Sequence, residues 1–279
     1  MEIVDVRGTP VEAHIAGSGS PLLYLHPEQL FDQTRPHIDA LAQKWRVIAP
    51  RHPGFGTLAM PDGFRSVDDI AYLYLDLLQK LDLKDALVVG GSFGGWIALE
   101  MCVRNTNRIG KLALVSSVGV KFSGREERDF ADLFYLSEEQ LYATLMADPA
   151  RWAPRFRELE TAAVETIARE RQATAFYGWK PYLHNPVLKR WLHRIDVPTL
   201  VIWGAGSLRR SLLRPPARGA HSECRAAHAS GRRTLSAHRA IGRSHQNDRG
   251  VREPLTATRN RTRRTAPPRN EPHASLAFQ

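Results

Sequence analysis

Cysteine is almost missing from this 279-residue chain, which has only Cys102 and Cys224, far apart in sequence. That scarcity argues against a disulfide framework or a metal site, and it points to a reducing, cytoplasmic setting. No apolar run approaches the roughly 20 residues that a membrane-spanning helix needs, so no membrane partner is expected. The opening Met1-Glu2-Ile3-Val4-Asp5 lacks a basic stretch followed by an apolar run, and no secretory signal is expected. Internal repeats are absent too.

Lysine is absent from residues 207–279, and Phe278 is their single aromatic. Those residues carry 16 Arg against 4 acidic side chains, whereas residues 1–206 carry 23 basic and 25 acidic ones. The formal charge of +10 therefore belongs wholly to the last quarter of the chain. A basic excess of this size would ordinarily point to nucleic acid or an anionic surface. Without lysine or stacking aromatics, the segment does not have the makeup of an evolved nucleic-acid-binding tail. It holds only 9 large apolar residues, too few to offset the entropy of ordering it, so disorder is expected for 207–279.

What is present is an alternation of short apolar runs with helix-like stretches. Residues 21–26, 46–50, 86–91, 111–116 and 199–204 read as strands buried on both faces. Segments 2–6 and 11–15 read as an antiparallel pair at the sheet edge. Ser66 and Asp69 form a capping-box pattern, and Val67, Ile70, Tyr74, Leu77 and Leu81 then share one helical face. Strand–helix–strand alternation implies an α/β fold with a mostly parallel sheet and helices on both faces. Residues 121–190 interrupt it, with helices expected over Glu126–Met146 and Trp152–Phe176 and no strand between. The resulting division is a core over 1–120, a helical insertion over 121–190, a returning core strand over 191–206, and the basic tail.

The motif that carries chemistry is Gly90-Gly91-Ser92-Phe93-Gly94, a G-x-S-x-G between an expected strand and an expected helix. A sharp strand-to-helix turn lifts a serine clear of the backbone and aims helix N–H groups at it. Glycines at 90 and 94 remove the Cβ atoms that would collide where strand and helix meet. The alternatives are a turn that merely packs or one that binds a phosphate. Neither G-x-G-x-x-G nor a following Gly-Lys-Ser/Thr is present, which weakens the nucleotide readings, and no cofactor is expected.

With this motif in place, the chain through residue 206 resembles the α/β-hydrolase superfamily. His26-Pro27-Glu28 is similar to that family's His-Gly-x oxyanion turn, and Ala49 to Gly56 to its turn of the form D-x-P-G-x-G. The segment 121–190 stands where the family carries a helical cap. The resemblance implies a serine hydrolase cutting an ester, amide, thioester or activated C–C bond through an acyl-enzyme. It implies Ser92 as nucleophile and the backbone N–H groups of Phe93 and Glu28 as oxyanion donors. His26, Gly90 and Gly94 support the motif. Serine rather than aspartate at 92 argues against epoxide hydrolase and dehalogenase activity. Arg51 stands where the family usually has Asp, an exchange expected to bear on stability rather than catalysis. Cap aromatics Trp152, Phe156, Phe176, Tyr177, Trp179 and Tyr182 imply a small-molecule substrate with an apolar or aromatic acyl group, or else form the cap's own core.

The same resemblance calls for an acid after the strand 199–204 and a histidine after a further strand. Trp203-Gly204-Ala205-Gly206-Ser207 puts serine at the acid position, and no apolar strand follows. His221, His228, His238, His245 and His273 are read as solvated side chains, with none held as a base. Arg, Ala, Pro and Gly are products of GC-rich codons, which suggests a shifted reading frame. Joining each permitted codon's third base to the next two bases lets Arg210 through Ser222 encode Ile-Val-Ala-Pro-Pro-Ala-x-Ala-Arg-x-Ala-Phe. His238 through Arg243 can likewise encode Pro-Gly-His-Trp-Pro, similar to the family's Gly-His turn. A frameshift near Ser207 is therefore expected, with a catalytically dead ligand-binding protein as the alternative to an impaired enzyme. Nucleic-acid binding through the arginine tail ranks below both.

Overall fold

The computed structural model describes residues 1–124 and 126–204, together with the backbone of a strand at 224–229. Strands β1 (Glu2–Val6), β2 (Thr9–Ala16), β3 (Pro21–Leu25), β4 (Arg46–Pro50), β5 (Ala86–Gly91), β6 (Ile109–Val115), β7 (Thr199–Gly204) and β8 (Cys224–Ala229) form one sheet. Its order is β1-β2-β4-β3-β5-β6-β7-β8. The β1–β2 and β2–β4 pairs are antiparallel, and every other pair is parallel. The expected edge hairpin and the five apolar strands are thus present, with small shifts at their ends.

Successive residues of the inner strands explain the near-continuous apolar runs, because each strand feeds two cores. Leu23, Leu25, Ile48, Val88, Leu112 and Leu114 pack on one face against α2 (Val67–Lys80) and α3 (Phe93–Arg104). Leu22, Val47, Ala49, Val89 and Ala113 pack on the other face against Phe31, Ile38 and Leu41 of α1 (Phe31–Ala42). Period-2 geometry sends neighbours to opposite faces, so a strand covered on both sides must be apolar throughout. Helix α2 starts where the capping pattern placed it. Asp69 Oδ2 accepts from the Ser66 N–H at 2.8 Å and from the Ser66 hydroxyl at 2.9 Å.

The segment between β6 and β7 departs from expectation. The anticipated helix over Glu126–Met146 reduces to α4 (Glu138–Leu145). Side chains upstream claim the backbone instead: Asp129 accepts from the N–H groups of Phe122 and Ser123, and Asp132 from those of Phe134 and Tyr135. Such local bonds offer the chain an alternative to the helical ladder. The helix expected over Trp152–Phe176 is divided into α5 (Pro149–Trp152), a 3₁₀ turn at Phe156–Glu158 and α6 (Thr161–Gly178). Pro154 drives Ala153 out of the helical region, to φ −68° and ψ 142°. A short α7 (Leu188–Trp191) leads back toward the sheet.

The expectation that no strand follows Gly204 is corrected at β8, which pairs parallel with β7 from Thr199↔Cys224 to Gly204↔Ala229. Main-chain pairing along an open strand edge needs no apolar pattern, so side-chain composition gave no sign of it. The disorder expected across 207–279 is likewise corrected over Cys224–Ala229 by that pairing, and the expectations for the rest of the segment, including Ser207 at the acid position, lie outside the described residues. Among the described residues, no helix is long and apolar enough to cross a membrane.

Candidate active site

Ser92 sits between the C-terminal end of β5 and the first residue of α3, with φ 45° and ψ −110°. A non-glycine residue with positive φ is strained, and strain of this kind persists only where the surroundings hold it. Here the surroundings do so on both sides of the residue. The Ser92 N–H donates to the Val115 carbonyl at 2.9 Å, and its carbonyl accepts from Val118, Gly95 and Trp96. The serine is therefore presented at the C-terminal edge of the parallel strands, where open α/β sheets bind ligands. Phe93 begins α3, so its N–H is among the four that have no intrahelical acceptor. Its ring is fully buried and packs on His52, Phe55, Trp96 and Tyr177.

The two motif glycines occupy points of backbone contact. A Cβ on Gly94 would lie 2.2 Å from the Leu25 carbonyl oxygen and 2.5 Å from that of His26. One on Gly90 would lie 2.6 Å from the Gly94 carbonyl oxygen. The start of α3 thus rests directly on the end of β3, which brings the His26-Pro27-Glu28 turn beside the elbow. The Pro27 ring lies at van der Waals distance from where a Cβ on Gly91 would stand.

His26 is a fixture of this turn and has no spare nitrogen for catalysis. Its Nδ1–H donates to the Pro27 carbonyl at 2.6 Å, and its Nε2 accepts from the His52 N–H at 3.1 Å. The His52 ring stacks on it at 3.7 Å and donates from Nε2 to the His26 carbonyl at 2.9 Å. The Tyr74 hydroxyl lies 2.8 Å from His52 Nδ1. These tautomers follow from the partners. Burial, followed by the nearby His52, holds His26 well below the usual histidine range, and burial takes His52 down to about 3. Both rings are neutral at pH 7 and fully engaged. Among the described residues, no hydrogen bond joins Ser92 to a histidine or a carboxylate.

Glu28 lies next to this pair. Its carbonyl accepts from the Thr174 hydroxyl at 2.8 Å, and no acceptor is taken by its N–H among the described residues. Its side chain is buried, and Oε2 has no hydrogen-bond partner there. A cavity of about 130 Å³ opens beside the turn, lined in part by Gln29, Leu133, Phe134, Leu141, Arg171 and Thr174. The described structure therefore brings Ser92, Phe93, Gly90, Gly94, His26 and Glu28 together. His228 falls on β8, its backbone opposite Trp203. Ser207 and the other tail histidines lie outside the described residues.

Sequence reasoning missed Glu170 of α6, which is 1% exposed. It accepts from the N–H groups of Leu30 at 2.6 Å and Phe31 at 3.3 Å, at the start of α1. Arg51 approaches it at 3.6 Å, and also Asp32 at 2.6 Å and Glu12 at 3.7 Å. No spacing rule links residues about 120 to 140 positions apart. Arg51, at a position where the resemblance implies an Asp, thus makes three ion pairs.

Burial pushes the Glu170 carboxyl up to about 7, against the opposing pull of the Leu30 N–H and Arg51. A carboxyl with a raised folded-state value makes stability fall as pH rises from its unfolded value of 4.5 through about 7. Between pH 5 and 8 the decline should be about 2 to 3 kcal/mol in urea unfolding, and it should be missing from Glu170→Gln. Parallel pH curves for the two proteins would rule this out.

The sequence profile described as alpha/beta hydrolase fold matches residues 31–209, well over half of the chain. A 2-hydroxymuconate semialdehyde hydrolase of Pseudomonas sp. strain CF600 is 33% identical over 127 residues, 44% of this chain and 45% of that protein. The chain's match thus spans less than half the length of that curated relative. Among solved structures, 2-hydroxy-6-oxo-6-phenylhexa-2,4-dienoate hydrolase from Rhodococcus sp. strain RHA1 superposes with a TM-score of 0.64 at 24% identity, covering 88% of this chain and 98% of that one. An esterase from Exiguobacterium antarcticum superposes with a TM-score of 0.65 at 16% identity, over 88% and 96%. Those superpositions speak for the fold, and the profile match speaks for the family. Strand order, elbow and sequence profile agree: the chain belongs to the α/β hydrolase fold family.

Proposed function

We propose that this chain descends from a serine hydrolase in which Ser92 attacks a carbonyl carbon and forms an acyl-enzyme. The N–H groups of Phe93 and Glu28 stabilise the developing oxyanion. The observation that carries this reading is the strained Ser92 backbone at the head of α3, held there by its bonds to Val115, Gly95, Trp96 and Val118. The names of the Pseudomonas and Rhodococcus proteins favour small unsaturated oxo compounds as substrates, with an activated C–C bond among the bonds that the family resemblance allows.

Catalysis in this chain is impaired under the same reading. Attack by Ser92 requires a base to take its proton, and neither His26 nor His52 has a nitrogen to offer. The sequence supplies no acid at 207, and residues 207–279 are read as the product of a shifted frame. A fluorophosphonate probe tests both parts, with the site of labelling mapped by mass spectrometry. Slow, substoichiometric labelling confined to Ser92 is expected. Rapid stoichiometric labelling would refute the impairment, and labelling elsewhere would refute the nucleophile.

A further inference from the structure

We infer that cap helix α6 sets the geometry of the oxyanion turn, with Glu170 and Thr174 as positioning residues for the Glu28 N–H. The inference rests on the reading of Ser92 and Glu28 given above. Residues 170 and 174 are one helical turn apart, so they present to the same side of α6. Both side chains end on the main chain of the turn. Thr174 Oγ1 reaches the Glu28 carbonyl at 2.8 Å, and the Glu170 carboxylate takes the N–H groups of Leu30 and Phe31. Between them, Arg171 Nε donates to the Gln29 side chain at 3.2 Å. Every residue from 28 to 31 is thereby tied to this one helix.

The backbone of the turn shows why such ties are needed. Leu30 has φ 65° and ψ 40°, the left-handed region that leucine avoids. Its side chain is buried against Tyr142 and Ile167 of the cap, and its N–H is held by Glu170. At the other end of the turn, Pro27 has a fixed φ and no N–H of its own. The peptide carrying the candidate donor therefore lies between a rigid proline and a strained leucine, with the cap supplying the restraint. Thr174 also stands 2.8 Å from the Glu170 carbonyl, so its single proton is shared between that site and Glu28. Preorganised donors act because they need no reorientation as charge develops, so a loosened turn loses its effect without losing its fold.

Phenylboronic acid provides a test that does not need turnover. Ser92 Oγ adds to boron, its proton passes to buffer, and the tetrahedral anionic adduct places a boron-bound oxygen where an oxyanion would sit. The adduct is read by ¹¹B NMR and its affinity by titration, with Ser92→Ala as the blank. Thr174→Val and Glu170→Ala are each expected to weaken the adduct by about 10-fold or more, as loss of an oxyanion donor would. Thr174→Ser should restore it, and Thr174→Val should stay folded, melting only about 2 to 10 °C below the parent. Weakening of less than about threefold in Thr174→Val, or no restoration by serine, overturns the inference while leaving the Ser92 reading intact. Absence of any adduct in the parent overturns that reading and the inference with it. If Glu170→Ala does not fold, the Thr174 pair decides the matter alone.

Discussion

Gly94→Ala is expected to destabilise the protein by about 3 kcal/mol or more, at the upper end of what overpacking costs. The new methyl would stand 2.2 Å from the Leu25 carbonyl oxygen, 2.4 Å from its carbon and 2.5 Å from the His26 carbonyl oxygen. All three are backbone atoms of the central strand and the turn after it, so no side chain can swing aside. Relief requires α3 to lift away from β3, which opens the core that Phe93 and Ile97 help to fill. For a protein of this size, 3 kcal/mol corresponds to a melting point lower by about 10 °C. Gly124→Ala is the control, because nothing lies within 4 Å of the position its Cβ would take. A Gly94→Ala protein melting within about 2 °C of the parent would show that the helix and strand are not locked together.

Translating the gene from codon 207 onward in the frame that joins each third base to the next two is expected to restore an efficient hydrolase. In a serine hydrolase whose triad acts as a unit, losing the base or the whole set costs about 10⁴ to 10⁶ in kcat. A gain of that order in p-nitrophenyl ester hydrolysis, abolished by Ser92→Ala, is therefore the expected result. The match to the hydrolase sequence profile ends at residue 209, two positions past the suspected break. Stop codons in the alternative frame would end the idea at once. So would a continuous frame whose product hydrolyses the ester no faster than the present chain.

Most of what positions the site could be read from the sequence. The inner strands announced themselves because burial on both faces leaves no polar position, and the elbow because only glycine fits at 90 and 94. The Ser66 capping pattern worked because it is local. The helices between β6 and β7 are shorter than the sequence implies for an equally physical reason: Asp129 and Asp132 bind nearby N–H groups, and Pro154 breaks a run whose composition favours a helix. Strand β8 had no apolar signature because its pairing is made by main chain. The grip of Glu170 on Leu30 and Phe31 left no trace in spacing, since it joins residues 140 and 139 positions apart.

The ion pairs around Arg51 bear on how such a protein could be recombined. Its side chain, 9% exposed, sets the guanidinium over the Phe31 ring and against acids from β2, α1 and α6. Replacing the segment between β6 and β7 with one that lacks an acid at the Glu170 position would leave Arg51 with Asp32 and Glu12 but strip the buried Leu30 and Phe31 N–H groups of their acceptor. Each buried N–H left without an acceptor costs about 1 to 3 kcal/mol, a sizeable share of a domain's margin of stability. Helix α6 and the start of α1 are therefore matched parts that have to be inherited, or engineered, together.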